Sequence, residues 1–245
     1  MVERRQPGPA TTIALLAALM LAACAVFMTI GVEGSWSFVL PFRGQKLAAL
    51  LLIGYSIAVS TVMFQTVTEN RILTPSIMGF DALYVLIQTL LAATLGSVKT
   101  NAIDPNVRFA IETMLMMGAA VALDRWLFAG AKRDVQYLAL AGLVFGGLLQ
   151  SLSNFLQRVL DPAEFAVLQD RLFASFNLVN ANLLLVAAIA ALGTSIVGWR
   201  MRHTFDVLAL GRETAISLGV DYRSTVMKIL ILVAILVSVS TALVG

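Results

Sequence analysis

Seven stretches of this chain stay apolar for about twenty residues at a time, at about 12–32, 47–65, 76–97, 107–128, 137–157, 180–198 and 226–245. A helix of that length rises far enough to cross a hydrocarbon layer of about 30 Å. In hydrocarbon every backbone N–H and C=O must be paired within the structure, which leaves helices or closed barrels. A barrel strand alternates apolar and polar residues, and these runs are continuous. The fold class is therefore all-α, a polytopic transmembrane helical bundle. Composition agrees, because 59% hydrophobic against 13% charged residues is more apolar surface than one soluble core of 245 residues can bury.

The net charge of +3 comes from basic residues scattered singly between the runs, without the basic and aromatic face that nucleic acid requires. Their placement is a topology signal. With the N-terminus inside, Arg4, Arg5, Arg71, Arg125, Lys132, Arg133, Arg200, Arg202, Arg212, Arg223 and Lys228 fall on the cytoplasmic side. Arg43, Lys46, Lys99, Arg108, Arg158 and Arg171 fall outside, and the excess favours an inside N-terminus. Cys24, the single cysteine, follows Leu21-Ala22-Ala23 as in a lipoprotein cleavage site. The apolar run continues through Ala25 to Gly31, so an ordinary first span is expected instead.

Two connections carry more than a turn. Residues 161–179 space Phe165, Leu168, Leu172 and Phe173 among Glu164, Asp170 and Arg171, the pattern of a short amphipathic helix at a membrane surface. Residues 200–223 form the longest polar stretch on the expected cytoplasmic side and are not of low complexity. Phosphate-binding loops, nucleophile elbows and paired-histidine metal motifs do not occur in the sequence, so no catalytic residue, metal ligand or cofactor is assigned. Asp81 and Glu112 are carboxylates within or beside spans, and Arg108 stands four residues before Glu112, at ion-pair spacing on a helix.

The second span follows Arg43-Gly44-Gln45-Lys46 and carries Gly54 in its middle. After it comes Gln65-Thr-Val-Thr-Glu-Asn70-Arg-Ile-Leu-Thr74-Pro75-Ser-Ile-Met-Gly79. This order resembles the permease family that imports iron-siderophore complexes and vitamin B12 with an ATP-binding-cassette motor, the FecCD type, and most of all its siderophore branch. That family reads Q-x4-N-P-L-A-x-P-x-x-x-G; here Asn70-Arg71-Ile72-Leu73 replaces N-P-L-A, and the proline of its basic entry is missing. A second match is Leu208-Ala-Leu-Gly211-Arg212-Glu213-Thr-Ala215-Ile-Ser-Leu218-Gly219-Val220, similar to the family's L-x-L-G-x-x-x-A-x-x-L-G-V. Taken bare, Leu208, Ala215, Leu218 and Val220 give a short helix pair an apolar grip, with Gly211 and Gly219 as turns or caps.

The resemblance implies one permease domain over 1–245, with 200–223 as a cytoplasmic coupling segment that docks on ATPase subunits through Leu208, Gly211, Arg212, Glu213, Ala215, Leu218 and Gly219. It implies docking of an extracytoplasmic binding protein at Arg43 and Lys46, and a translocation path near Gln65, Asn70, Thr74, Pro75 and Gly79. It also implies a second permease subunit, identical or homologous, a bacterial inner-membrane location and no enzyme activity of the chain's own. Gly142, Gly146 and Gly147 are expected to permit close helix packing in the fifth span. Family members have about ten spans, so about seven imply a truncated set. The alternative is an ion-coupled secondary transporter of a small solute, with Asp81 or Glu112 as the coupling group.

Overall fold

The computed structural model describes residues 8–31, 35–128, 135–173, 176 and 180–244. Arg4, Arg5, Lys132 and Arg133, counted above for orientation, lie outside the described residues. The chain divides into two compact units, residues 1–51 and 52–245.

The first unit contains α1 (Pro9–Thr29) and the opening turns of α2 (Trp36–Thr68). Helix α1 is apolar on every side and has no buried residue, as suits a helix surrounded by lipid. Helix α2 starts at Trp36, well before the expected boundary near 47, and takes in Arg43 and Lys46. The two cations are accommodated within the unit. The Arg43 guanidinium donates to the carbonyls of Phe27 (2.8 Å), Ile30 (2.6 Å) and Gly31 (3.0 Å). Lys46 Nζ lies 3.9 Å from the ring centre of Phe42. Arg43 thus closes the C-terminus of α1, where the last carbonyls of a helix attract a cation.

The second unit holds the rest of α2 together with α3 (Phe80–Ala102), α4 (Pro105–Phe128), α5 (Val135–Val159), α6 (Pro162–Leu172), α7 (Ala181–Arg200), α8 (Arg202–Leu208), α9 (Arg212–Ser217) and α10 (Tyr222–Val244). Its axis is α10, which packs on α4, α7, α3 and α9. Val226, Ile229, Leu230, Val233, Ala234 and Leu236 of α10 are all essentially inaccessible and meet Phe64 and Val67 of α2 and Met116 of α4. Helix α10 is the centre of the bundle because α4, α7, α3 and α9 pack on its several sides. Lipid tails are as apolar as these side chains, so the gain comes from close packing rather than from escape from water.

Five described helices are long and apolar enough to cross a membrane: Pro9–Thr29, Val39–Thr68, Pro105–Leu123, Ala181–Arg200 and Tyr222–Val244. The third expected span is the shorter apolar piece Phe80–Gly96, because Gly96 leaves helical geometry at φ 73°, ψ 165° and α3 kinks there. Helix α5 covers the fifth expected stretch, with its described side chains beginning at Leu140. Helix α6 is the expected amphipathic segment. The Asp161 carboxylate caps it by accepting from the Ala163 amide at 2.9 Å, and Leu168 is buried where α6 meets α3.

Candidate functional site

Three groups of residues, and a buried ion-pair network beside them, carry what chemistry the second unit has. The first is the turn that ends α2. Glu69 sits at φ 51°, the left-handed conformation that stops a helix. Gln65 Nε2 then donates to the Arg71 carbonyl at 2.7 Å, and Asn70 Oδ1 accepts from the Ile72 amide at 2.9 Å. Both polar side chains are engaged in building the turn. Thr74 precedes a single 3-10 turn, Pro75–Met78, whose end is Gly79 at φ 85°. Pro75 and Met78 are buried.

From that turn the chain meets α5 glycine to glycine. A Cβ added to Gly142 would come within 2.9 Å of Met78 Cα, and one added to Gly146 within 2.9 Å of Gly79 Cα. Gly147 has open space around its Cβ position, so the expected role in packing holds for Gly142 and Gly146 alone. The segment of Gln65, Asn70, Thr74, Pro75 and Gly79 is brought together as one structural turn seated on α5.

The second group lies along α5, and of it only Gly147 was singled out from sequence, for packing. Gly147, Gln150, Ser151, Asn154 and Arg158 are exposed on one side of this helix, with Gln157 half-buried at its edge. Gln150 Nε2 donates to Asn154 Oδ1 at 3.0 Å, and Gln157 Nε2 donates to Thr89 Oγ1 of α3 at 3.1 Å. Asn154, Gln157 and Arg158 line an open hollow of about 480 Å³ with Leu160, Pro162 and Phe165 at the start of α6. Helical spacing of three and four residues links them, and that spacing was the available signal. On a helix at membrane depth, an exposed row of amides and a guanidinium is tolerated where it faces water or protein.

A separate buried network joins α3 to α4. Glu112 Oε1 accepts from Arg108 Nε at 2.7 Å and from Gln88 Nε2 at 2.6 Å, while Arg108 Nη2 donates to Gln88 Oε1 at 2.9 Å. The carboxylate of Glu112 is 4% exposed and its charge is matched in place. Arg108 and Glu112, with Tyr84, Asp170, Arg171 and Phe173, border a hollow of about 340 Å³. Burial first, then repulsion from Arg108, holds the Arg171 guanidinium below its ordinary pKa. Asp81 is exposed in the first turn of α3, where a negative charge complements the helix dipole.

The third group is the pair α8 and α9. Leu208 and Ala215 are buried in the same core as Phe64 and Val67. Leu210, Ile216 and Leu218 are 62%, 50% and 61% exposed, and Arg212, Glu213 and Gly219 lie at the surface with them. The apolar grip expected of this segment is thus divided, with Leu208 and Ala215 turned inward and Leu218 outward. Gly211 (φ 96°) and Gly219 (φ 85°) occupy the two sharp bends. The second is a Schellman closure, in which the Val220 amide donates to the Ala215 carbonyl and the Gly219 amide to that of Ile216, each at 3.0 Å. At the other end, the Arg212 amide donates to Glu69 Oε1 at 3.0 Å, joining α9 to the end of α2.

The model of the FecCD transport family matches residues 10–245. The chain belongs to the FecCD transport family. Among curated relatives, this FecCD chain is 48% identical over 233 residues to the petrobactin import system permease protein YclO of Bacillus subtilis (strain 168), covering 95% of this chain and 74% of that protein. It is 34% identical over 203 residues to the petrobactin import system permease protein FatC of Bacillus anthracis, covering 83% of this chain and 57% of that one. Its fold is that of a solved transporter assigned to the metal-chelate ABC type in an inward-facing conformation, with TM-score 0.79 at 20% identity over 96% of this chain and 75% of that one. The FecCD chain is therefore a multi-pass helical membrane protein of permease architecture.

Proposed function

We propose that this chain is a transmembrane permease subunit of an ATP-driven importer for iron-siderophore complexes in a bacterial inner membrane. The observation that carries the reading is the polar row on α5, from Gln150 to Arg158, exposed on a helix of membrane length. Such a row needs water or protein against it, and a permease supplies both in its passage and its partner subunit. The substrate class rests on the FecCD family and on relatives whose names specify petrobactin, ferric anguibactin and ferric enterobactin.

In this reading residues 1–245 are one permease domain with a cytoplasmic N-terminus. ATPase subunits dock on segment 200–223, where Leu210, Ile216 and Leu218 are exposed beside Arg212 and Glu213. A second permease subunit completes the passage, and an extracytoplasmic binding protein delivers substrate near Arg43 and Lys46. Hydrolysis occurs in the ATPase partners, and this chain is a transport component. An ion-coupled transporter would instead load a proton or cation on Asp81 or Glu112; Asp81 is exposed in the first turn of α3, and the Glu112 carboxylate is already closed by Arg108 and Gln88.

The test uses the assembled complex in vesicles, with Cys24 replaced by serine. Single cysteines at Ser151 and Asn154 are expected to react with a membrane-impermeant thiol reagent, while cysteines at Leu148 and Leu152 stay unlabelled. The complex should retain an ATP-binding-cassette ATPase through purification. Equal protection of all four positions, or uptake that continues after ATP depletion while the ion gradient is held, would overturn the reading.

A further inference from the structure

The hydrogen bond between Glu69 and α9 crosses from the end of one membrane helix to the segment exposed for docking. We infer that Glu69 is a positioning residue: its carboxylate fixes the short helix α9 to the turn that begins segment 69–79, which is seated on α5, so that the two move as one body. The inference rests on the ATPase-docking role proposed for 200–223.

Four observations converge on this side chain. Its Oε1 accepts from the Arg212 amide at 3.0 Å, and that amide is the first N–H of α9, a position that bonding within a helix does not reach. A carboxylate there makes a charge-assisted bond to the positive end of the helix. Glu69 itself is the one described non-glycine residue with a positive φ, at 51°, a backbone state that has to be held by its surroundings. Gly211, at φ 96°, places the position of an absent Cβ 3.9 Å from Glu69 Oε2, so the bend that presents α9 and the carboxylate that caps it face each other. The far end of α9 closes on itself through Gly219 and Val220, and the Glu69 bond is what ties the near end to α2.

The turn beyond Glu69 is rigid as well. Gln65 and Asn70 pin the next residues, the 3-10 turn Pro75–Met78 is buried at Pro75 and Met78, and Gly79 is backed against Gly146 of α5. A displacement of α9 therefore has a continuous route of packed backbone to the helix that bears the polar row. Without the carboxylate, α9 keeps Ala215 in the core and the Arg212 guanidinium 5.7 Å from the ring centre of Tyr222 in α10, while its first turn loses the bond that ties it to the end of α2 and pivots about Gly211. The expected loss is in transmission rather than in docking.

The experiment compares the assembled transporter carrying unaltered Glu69, Glu69→Ala or Glu69→Gln. Glutamine keeps an acceptor oxygen and alanine does not. In Glu69→Ala, amide hydrogen exchange over residues 212–215 should quicken by about tenfold, as expected for one lost hydrogen bond to a charged acceptor, with α10 unchanged. ATP hydrolysis should continue while ferric-siderophore uptake per ATP falls at least about threefold, and Glu69→Gln should restore most of both. Unchanged exchange at 212–215, or an unchanged ratio of uptake to hydrolysis, would overturn the inference. Where Glu69→Ala fails to assemble, Glu69→Gln decides: near-normal coupling supports the role, and loss equal to alanine refutes it. Failure of the docking role itself would show in the unaltered chain, as absence of a bound ATPase.

Discussion

Gly79 and Gly146 meet backbone to backbone, and a Cβ built on Gly79 would lie 2.7 Å from the Cα of Gly146. Real Cβ atoms do not approach other atoms so closely, so the crossing of the 70–79 segment over α5 exists only because both residues are glycine. Gly79 is doubly constrained, since its φ of 85° is also a region that side chains avoid.

Alanine at Gly146 should accordingly lower stability by about 1–3 kcal/mol, the usual range for overpacking, because the atom it strikes is backbone and cannot rotate away. Alanine at Gly142 strikes Met78 Cα at 2.9 Å and should behave alike. Alanine at Gly147, with nothing within 4 Å, should be neutral. Thermal unfolding of the purified variants in one detergent would rank them, and a destabilised Gly147→Ala beside a neutral Gly146→Ala would contradict the packing.

Breaking the Arg108 and Glu112 pair on one side leaves a buried charge uncompensated. Glu112→Gln or Arg108→Gln alone should destabilise by about 3–5 kcal/mol if the site is as dry as a protein interior, and by less to the extent that the one-quarter exposed Arg108 is hydrated. Replacing both should recover part of the loss. A double-mutant cycle in thermal or denaturant unfolding measures the coupling, and strictly additive losses would show that the two charges do not interact.

Arg43 is occupied in closing α1, which separates its expected behaviour from that of Lys46. Arg43→Ala should free the carbonyls of Phe27, Ile30 and Gly31 at a cost of about 1–3 kcal/mol and quicken amide exchange at the end of α1. Arg43→Lys should recover little, because a point ammonium cannot reach three acceptors as a planar fork does. Lys46→Ala removes the contact with the Phe42 ring of α2 and should quicken exchange at the end of α1 less than Arg43→Ala does. Exchange monitored over residues 26–31 distinguishes the two positions.

The first turn of α4 carries an acid-sensitive cap. The Asn106 amide donates to Asp104 Oδ1 at 2.8 Å, and this bond, with that of the Asn106 side chain, holds the Asp104 carboxyl below its ordinary pKa of 3.8. A depressed folded-state pKa means the cap is fully present above the unfolded value and is lost as pH falls through the lowered one. Protection of the Asn106 and Val107 amides should therefore persist down to about pH 4 and decline below it. Asp104→Asn, which still accepts a hydrogen bond, should show a flat profile over the same range. Loss of protection already at about pH 6 would mean that another group controls this end.

The membrane fold is written in runs of about twenty apolar residues, because hydrocarbon accepts few alternatives to a helix and length alone nearly specifies the span. Local chemistry was equally legible in Gly211 and Gly219, whose bends need a left-handed backbone, and in Arg108 and Glu112, whose spacing on one helix makes them neighbours whatever else surrounds them. The row from Gln150 to Arg158 was present in the spacing but became meaningful only once α5 was seen to leave that side uncovered. Other relationships are long-range and left no local mark. Glu69 reads as one more acid at a helix end until folding brings Arg212 to it, and Gly79 reads as a turn until α5 lies across it. Arg43, a cation ahead of the second apolar run in sequence, is drawn onto α1 by carbonyls whose need for a donor exists only after that helix has ended. Sequence by itself determined which long apolar stretches turn helical, since hydropathy and run length are properties of neighbours along the backbone; that α2 begins as early as Trp36 was not among them. Which side chains complete one another was decided by tertiary structure, because a buried charge, a helix-end amide and a missing Cβ acquire partners only when distant segments are packed together.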